Sequence, residues 1–368
     1  MSQSRQDTAR SDEPNRLANI VSKIFAGQSG NTSLSICLSN DASAALMAGA
    51  DAQDDCAVFR MTGAQELVVG SDYVRGPKFR LYELGLLNDY DVGYYLVTAN
   101  VSDIAAMGAR PIGVVTVVRY PPDMTDDTFA QVMCGIRDAC RRFSAPNVGG
   151  DIGGAERLIL SATALGVCLP GHALFRHGAR PGDVVCLTGP TGIAGAAMSY
   201  FRSGTRSALV EDKHREQLLT SWSRPNARVR EGVCLGDSGM VTSCQDTSDG
   251  LKAAIESVAA ASGVGMVIDE RRLPIAPEVA AVCECLDLPV PPVMFGDSVD
   301  FELLFSVPRD RLTPLTGLFS AQGFRFHAIG EVTSAPDVVL RQSDGRHVPL
   351  PGVAWRHQSD SPAVPLAT

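Results

Sequence analysis

Two α/β (α+β) domains are predicted, on three observations. The chain has 368 residues, 45% of them hydrophobic, enough for two cores rather than one. Strand-like and helix-like segments alternate along it. A cluster of glycine and proline, "RHGARPGD", interrupts that alternation near 175–182 and marks the join between domains.

The first sixteen residues, "MSQSRQDTARSDEPNR", are polar and read as a disordered tail. That leaves 17–176 and 177–368 as the two domains. "NRLANIVSKIFAG" spaces Leu17, Ile20, Val21, Ile24 and Phe25 on one helical face. Residues 28–50 read as a loop with at most one short strand around "LSICLS". "AVFRM" and "ELVVGSDYV" read as adjacent strands, 90–108 as a helix, and the β-branched "PIGVVTVVRY" as a strand. "DDTFAQVMCGIRDACRRF" is an amphipathic helix with acids first and arginines last, as the helix dipole favours. "NVGGD" and "RLILSATALGVCLP" follow as strand, turn and strand. In the second half the strands "DVVCLTG", "VTSCQD", "GMVID" and "FELLFSVP" alternate with the helices "SDGLKAAIESVAAASG" and "RLTPLTGLFSAQG".

Composition narrows the function. A net charge of −9 argues against nucleic acid as the main partner, because phosphate backbones require clustered Lys and Arg. No run of about 18 apolar residues occurs, so no membrane span is expected. The tail lacks the apolar centre of a secretory signal, so a cytoplasmic protein is expected. Ten cysteines are scattered through apolar segments without a CxxC pair, which reads as buried reduced thiols. Neither GxxxxGK[ST] nor GxGxxG is present.

The aspartates form a set. "AQDDCAV" carries Asp54 and Asp55, "VVGSDYV" Asp72, "NVSDIAAMG" Asp103, "NVGGDIGG" Asp151, and "CQDTSDGL" Asp246, Ser248 and Asp249. Each alone is explained equally well by a turn, a helix cap or an Asx-turn; Asp103 alone reads as a cap at the start of "DIAAMGA". Gathered together, almost without nearby Lys or Arg, they would repel one another. A hard divalent cation offsets such repulsion, and oxygen-only ligands suit Mg²⁺. Since Mg²⁺ commonly bridges to phosphate oxygens, a nucleoside triphosphate is the natural guest. The glycines beside Asp151 would let backbone N–H groups approach phosphates. Spacing alone does not show that these sites converge.

In their order, "DDCAV", "SD", "NVSDIAAMGA", "GGD", "LFRHGARPGD", "DTSDGL" and "DFELLF", the motifs resemble the thiamine-monophosphate kinases. That family shares a superfamily with aminoimidazole-ribonucleotide synthetase, selenophosphate synthetase and the hydrogenase-maturation dehydratase. The resemblance spans roughly residues 50–355. It implies a synthetase-like fold in which an N-terminal four-stranded sheet closes a β-barrel across a homodimer, with a C-terminal α/β domain against it. It further implies ATP and Mg²⁺ as cofactors and a small-molecule acceptor. Asp55, Ser71, Asp72, Asp103, Asp151, Asp246 and Asp249 would be metal ligands, Asp151 and Asp249 being also catalytic. Gly150 would accompany the phosphates, and Arg176 and Ser248 would contact the nucleotide.

The acceptor half departs from the family pattern. Lys78 in "VRGPKF" stands where a His is usual, and "GGDIGGAE" replaces "GGDTTR". In "GDSVDFELL" Val299 occupies the place of a substrate-binding acid, with Asp300 and Glu302 matching beyond it. Trp355 would take the place of the aromatic that stacks on the thiamine ring. Lys78 reads equally as an acceptor-binding cation or as a solvated lysine. A phosphotransferase with an altered acceptor is therefore the leading expectation. An ATP-dependent synthetase or dehydratase that activates an amide or carboxylate oxygen is the second. A non-catalytic ATP-binding dimer is the third.

Overall fold

The computed structural model describes residues 22–24, 44–48, 58–61, 66–74, 80–204 and 210–353. Asp55, Lys78 and Trp355 lie outside them, as do "LSICLS" and most of the first expected helix.

Strands β1 (Ala44–Ala48) and β2 (Val58–Met61) form an antiparallel pair of their own. The expected neighbour of β2, β3 (Glu66–Val74), joins a different sheet instead. That sheet has four strands in the order β3-β6-β4-β5, with β4 spanning Arg110–Tyr120, β5 Asn147–Gly154 and β6 Ile159–Cys168. β4 and β5 run parallel, which requires a crossover, and helix α2 (Asp126–Phe143) supplies it. The sequence signals of α2 are each used. Thr125 accepts a hydrogen bond from Thr128 N at 3.2 Å as the N-cap, Asp126 and Asp127 fill the first turn, and Arg141 and Arg142 the last. Its apolar face, with Phe129, Val132, Met133 and Ile136, is fully buried.

Helix α1 (Asp89–Ala106) begins in a capping box: Asn88 accepts from Asp91 N at 3.0 Å while Asn88 N donates to the Asp91 carboxylate at 2.9 Å. It is buried on nearly every side, as suits a helix enclosed by other elements. The sheet, α2 and the second domain surround it. A Cβ on Gly93 would stand 2.1 Å from Val132 O, so glycine is what lets α1 and α2 approach so closely. The opposite face of the four-stranded sheet is open. Leu67 and Val69 are 57% exposed there, and Tyr73 and Ile159 each 37%.

The second sheet has seven strands in the order β13-β12-β9-β11-β7-β10-β8. Its members are β7 (Val184–Leu187), β8 (Ser243–Asp246), β9 (Gly265–Asp269), β10 (Leu303–Val307), β11 (His327–Thr333), β12 (Val338–Arg341) and β13 (His347–Pro349). Helices α3 (Ile193–Arg202), α4 (Val229–Ser238), α5 (Leu251–Ser262) and α6 (Leu312–Ala321) are among those connecting them. The two sheets meet through α1, which touches both α4 and β8. The described cysteines are all free thiols and mostly buried. No helix among the described residues is long and apolar enough to cross a membrane.

Candidate functional site

The last two turns of α1 organise the site. Asn100, anchored by its own amide to Leu96 O at 2.9 Å, accepts a hydrogen bond from Asp72 N at 3.0 Å and so fixes β3 at Asp72. Asp103 leans on the same strand: a Cβ on Gly70 would lie 3.6 Å from Asp103 Cβ and 3.8 Å from its Oδ2. Asp103 thus stands in the final turn of a helix that started fourteen residues earlier, rather than capping a new one. Ser102 points to the second domain and donates to Asp246 Oδ2 at 2.5 Å. Ser248 donates to the other oxygen, Oδ1, at 2.9 Å.

Asp246 is 4% exposed. Burial pushes its carboxyl above the ordinary carboxylate range, the two serine hydroxyls pull it back, and the negative charge of Asp249 adds to the push. Among the described residues no Lys, Arg or His pairs with it. A buried carboxylate held by two hydroxyls and the Ser248 backbone, next to a second acid, lacks positive charge. Such oxygen-only surroundings suit a hard divalent cation. Among the described residues no three His, Cys, Asp or Glu side chains stand close enough to hold a metal ion by themselves.

Asp151 is placed differently. The cross-strand row through Asp72 runs to Ala162, Thr116 and Gly150, so Asp151 lies near the opposite edge of the sheet, roughly 14 Å away at the usual strand spacing. Its side chain leaves the open face, 62% exposed, and makes an ion pair with Arg119. The expectation of an aspartate set almost without nearby cations is corrected here by Arg119. Ser71 is also on the open face, donating to Ala162 O at 2.9 Å. Gly150, at φ 152°, is required by its own sheet, since a Cβ would stand 1.8 Å from Thr116 O.

Arg176 is exposed, and the segment carrying it is tied to β8 by Cys244 N donating to Phe175 O at 2.8 Å. Of the residues expected at the acceptor, Val299 and Asp300 are among those described, and both are engaged within the fold. Val299 is 6% exposed in the apolar core. Asp300 caps α3, accepting from Gly192 N at 2.6 Å and Ala194 N at 3.1 Å, and also from the Ser298 hydroxyl at 2.7 Å. Neither offers a free group to a ligand.

Sequence reasoning missed the groups that orient the acids. Ser102 and Asn100 stood inside "ANVSD" beside the aspartate that drew attention. Arg228 gave no local signal, yet it grips Glu302 through Nε to Oε2 at 2.8 Å and Nη2 to Oε1 at 2.5 Å, with Thr188 donating to Oε2 at 2.6 Å. Glu302 N in turn donates to Thr247 Oγ1 at 3.1 Å, which holds the 246–249 turn in place.

Two family models match the chain: AIR synthase related protein, N-terminal domain, over residues 53–168, and its C-terminal domain over 180–342. Thiamine-monophosphate kinase of Pyrococcus abyssi (strain GE5 / Orsay) is 34% identical over 269 residues, 73% of this chain and 79% of the relative. The crystal structure of thiamine-monophosphate kinase from Stenotrophomonas maltophilia K279a superposes with a TM-score of 0.71 at 27% identity, covering 81% of this chain and 91% of that one. AaThiL complexed with AMPPCP and TMP superposes with a TM-score of 0.68 at 25% identity, covering 80% and 88% respectively.

Proposed function

Since this chain belongs to the thiamine-monophosphate kinase family of AIR-synthase-related proteins, we propose that it is an Mg-ATP-dependent phosphotransferase with a small-molecule acceptor other than thiamine monophosphate. The observation that carries the reading is Asp246, buried, beside Asp249 and without a basic partner among the described residues. Asp72, Asp103, Asp246 and Asp249, grouped about residues 100–103 of α1, are assigned as magnesium-binding carboxylates, with Asp55 added on its sequence motif alone. One or two carboxylates per ion suffice for Mg²⁺, with water and phosphate oxygens filling its other positions. This accords with a group of acids that closes no cage alone.

Magnesium held by these carboxylates would supply neutralisation of triphosphate charge during phosphoryl transfer. The chain's own contribution is positioning. Ser102 and Ser248 aim the two oxygens of Asp246, Asn100 sets the backbone of β3, and Thr247 ties the acidic turn to Glu302. Arg176 and Ser248 are assigned to the nucleotide and Gly150 to the phosphates.

A second copy is assigned to the open sheet face, where Leu67, Val69, Tyr73 and Ile159 are exposed; closing that face would complete a barrel. Asp151 stands on the same face, so its metal and catalytic role belongs to the assembled homodimer. The altered acceptor rests on sequence: Val299 replaces an acid, and Lys78 a histidine.

Asp103→Asn or Asp246→Asn should weaken Mg-ATP binding at least tenfold by calorimetry, with circular dichroism unchanged; wild-type affinity in both would remove the metal assignment. Thiamine monophosphate should be turned over poorly. A rate in the ordinary enzyme range, of order 1–10³ per second, would restore it as the acceptor.

A further inference from the structure

A cavity of about 670 Å³ opens where the start of β4, the end of α2 and the start of α4 meet. That volume lies in the range of small-molecule sites. Its wall carries Arg110, Arg142, Arg228 and Arg230, against one acid, Glu231. In a chain of net charge −9 this concentration of guanidinium groups is itself unfavourable unless something answers it.

Their partners leave that charge largely unanswered. Arg228 is neutralised by Glu302 and by Glu231, the latter at 3.3 Å. Arg142 donates only to the Asn226 side-chain oxygen, at 3.2 Å, and lies 5.9 Å from the Phe143 ring. Arg230 lies over the Phe324 ring, 5.0 Å from its centroid. Arg110 Nε is buried with no hydrogen-bond partner. Among the described residues no carboxylate pairs with Arg110, Arg142 or Arg230. Helix α4 starts at the same wall without a side-chain cap, so its first N–H groups add positive character.

We propose that this cavity is a second anion site, which takes a small phosphorylated molecule. Three guanidinium groups without a carboxylate partner among the described residues call for a ligand of two or more negative charges. Their planar forks match the paired oxygens of a phosphoryl group. The Phe324 ring beneath Arg230 holds that guanidinium at the cavity wall. Arg228, which grips Glu302, joins this wall to the acidic turn through the Glu302 N–Thr247 hydrogen bond. The far end of the wall is distant from the Asp72 row: Arg110 lies six residues along β4 from Thr116, about 20 Å at the rise of an extended strand. The site needs no metal, because its charge is already positive.

Inorganic pyrophosphate, titrated into the full chain in EDTA and low salt, tests this by calorimetry. One site per chain is expected, with affinity falling at least tenfold in Arg110→Gln and in Arg230→Gln, and unchanged in Asp246→Asn. Arg142 and Arg230 have exposed side chains, so Arg142→Gln and Arg230→Gln decide the matter if Arg110→Gln does not fold. Absence of binding by the wild type would overturn the proposal. So would binding that survives all three arginine substitutions, or that responds only to Asp246→Asn. Tighter binding of citrate than of pyrophosphate would overturn the phosphate assignment.

Discussion

Asp246 and Glu302 sit at the facing ends of neighbouring strands, with Leu303 paired to Asp246 across the ladder. They are about equally buried, 4% and 5% exposed. Glu302 has a bidentate arginine, and Asp246 has two serine hydroxyls. Burial raises both carboxyls above their ordinary range, and only in Glu302 does a cation oppose it. One acid is neutralised inside the chain and serves architecture; the other is oriented by hydroxyls and, in the function proposed above, is answered by a cation from outside. Burial alone therefore does not distinguish a structural acid from a ligand. The partner does.

The largest expected effect comes from destroying the internal pair. Glu302→Gln leaves the Arg228 guanidinium with Glu231 as its remaining acid, at 3.3 Å, and loss of about 3 kcal/mol, the low end for a broken buried pair, is expected by urea denaturation. Asp246→Asn in EDTA should stay within about 1 kcal/mol of wild type, since no internal ion pair is lost. A loss as large as that of Glu302→Gln would erase the contrast between the two acids. Mg-ATP at a hundredfold excess over its dissociation constant should add about 2.7 kcal/mol to the wild type. That gain should shrink in Asp246→Asn and persist in a variant outside the site.

Asp300→Ala sharpens the point with a third acid, one committed to a helix end. It removes the acceptor for two N–H groups of α3, and about 1–2 kcal/mol should be lost. The smallest effect is expected from Thr125→Ala. Loss of that cap should lower stability by about 1 kcal/mol and leave Mg-ATP affinity as it was. A change in nucleotide affinity here would mean that α2 reaches the site in a way the fold does not show.

Much of the fold was legible. Helix α2 starts and ends with the quoted segment, because its cap, its acidic first turn, its apolar stripe and its final arginines agree. β3 coincides with "ELVVGSDYV" for a similar reason. The pairing of β2 with β3 was misread: β2 pairs with β1 and β3 with β6, since adjacency in sequence does not by itself choose a partner. Within the site, the acids at 72, 103, 246 and 249 were visible as carboxylates beside glycine and serine. The opposite orientation of Asp151 was not, because it depends on which face of a strand the chain presents.

The sequence by itself determined the alternation of strands and helices, the ends of the well-capped helices, and the set of acids to be watched, since all of these follow from neighbours a few residues apart. Only the tertiary structure decided what each acid meets. Ser102 lies 144 residues from Asp246, and Arg228 lies 74 from Glu302. No local propensity spans such separations; the packing of α1 against both sheets does, by fixing which donors reach which carboxylate.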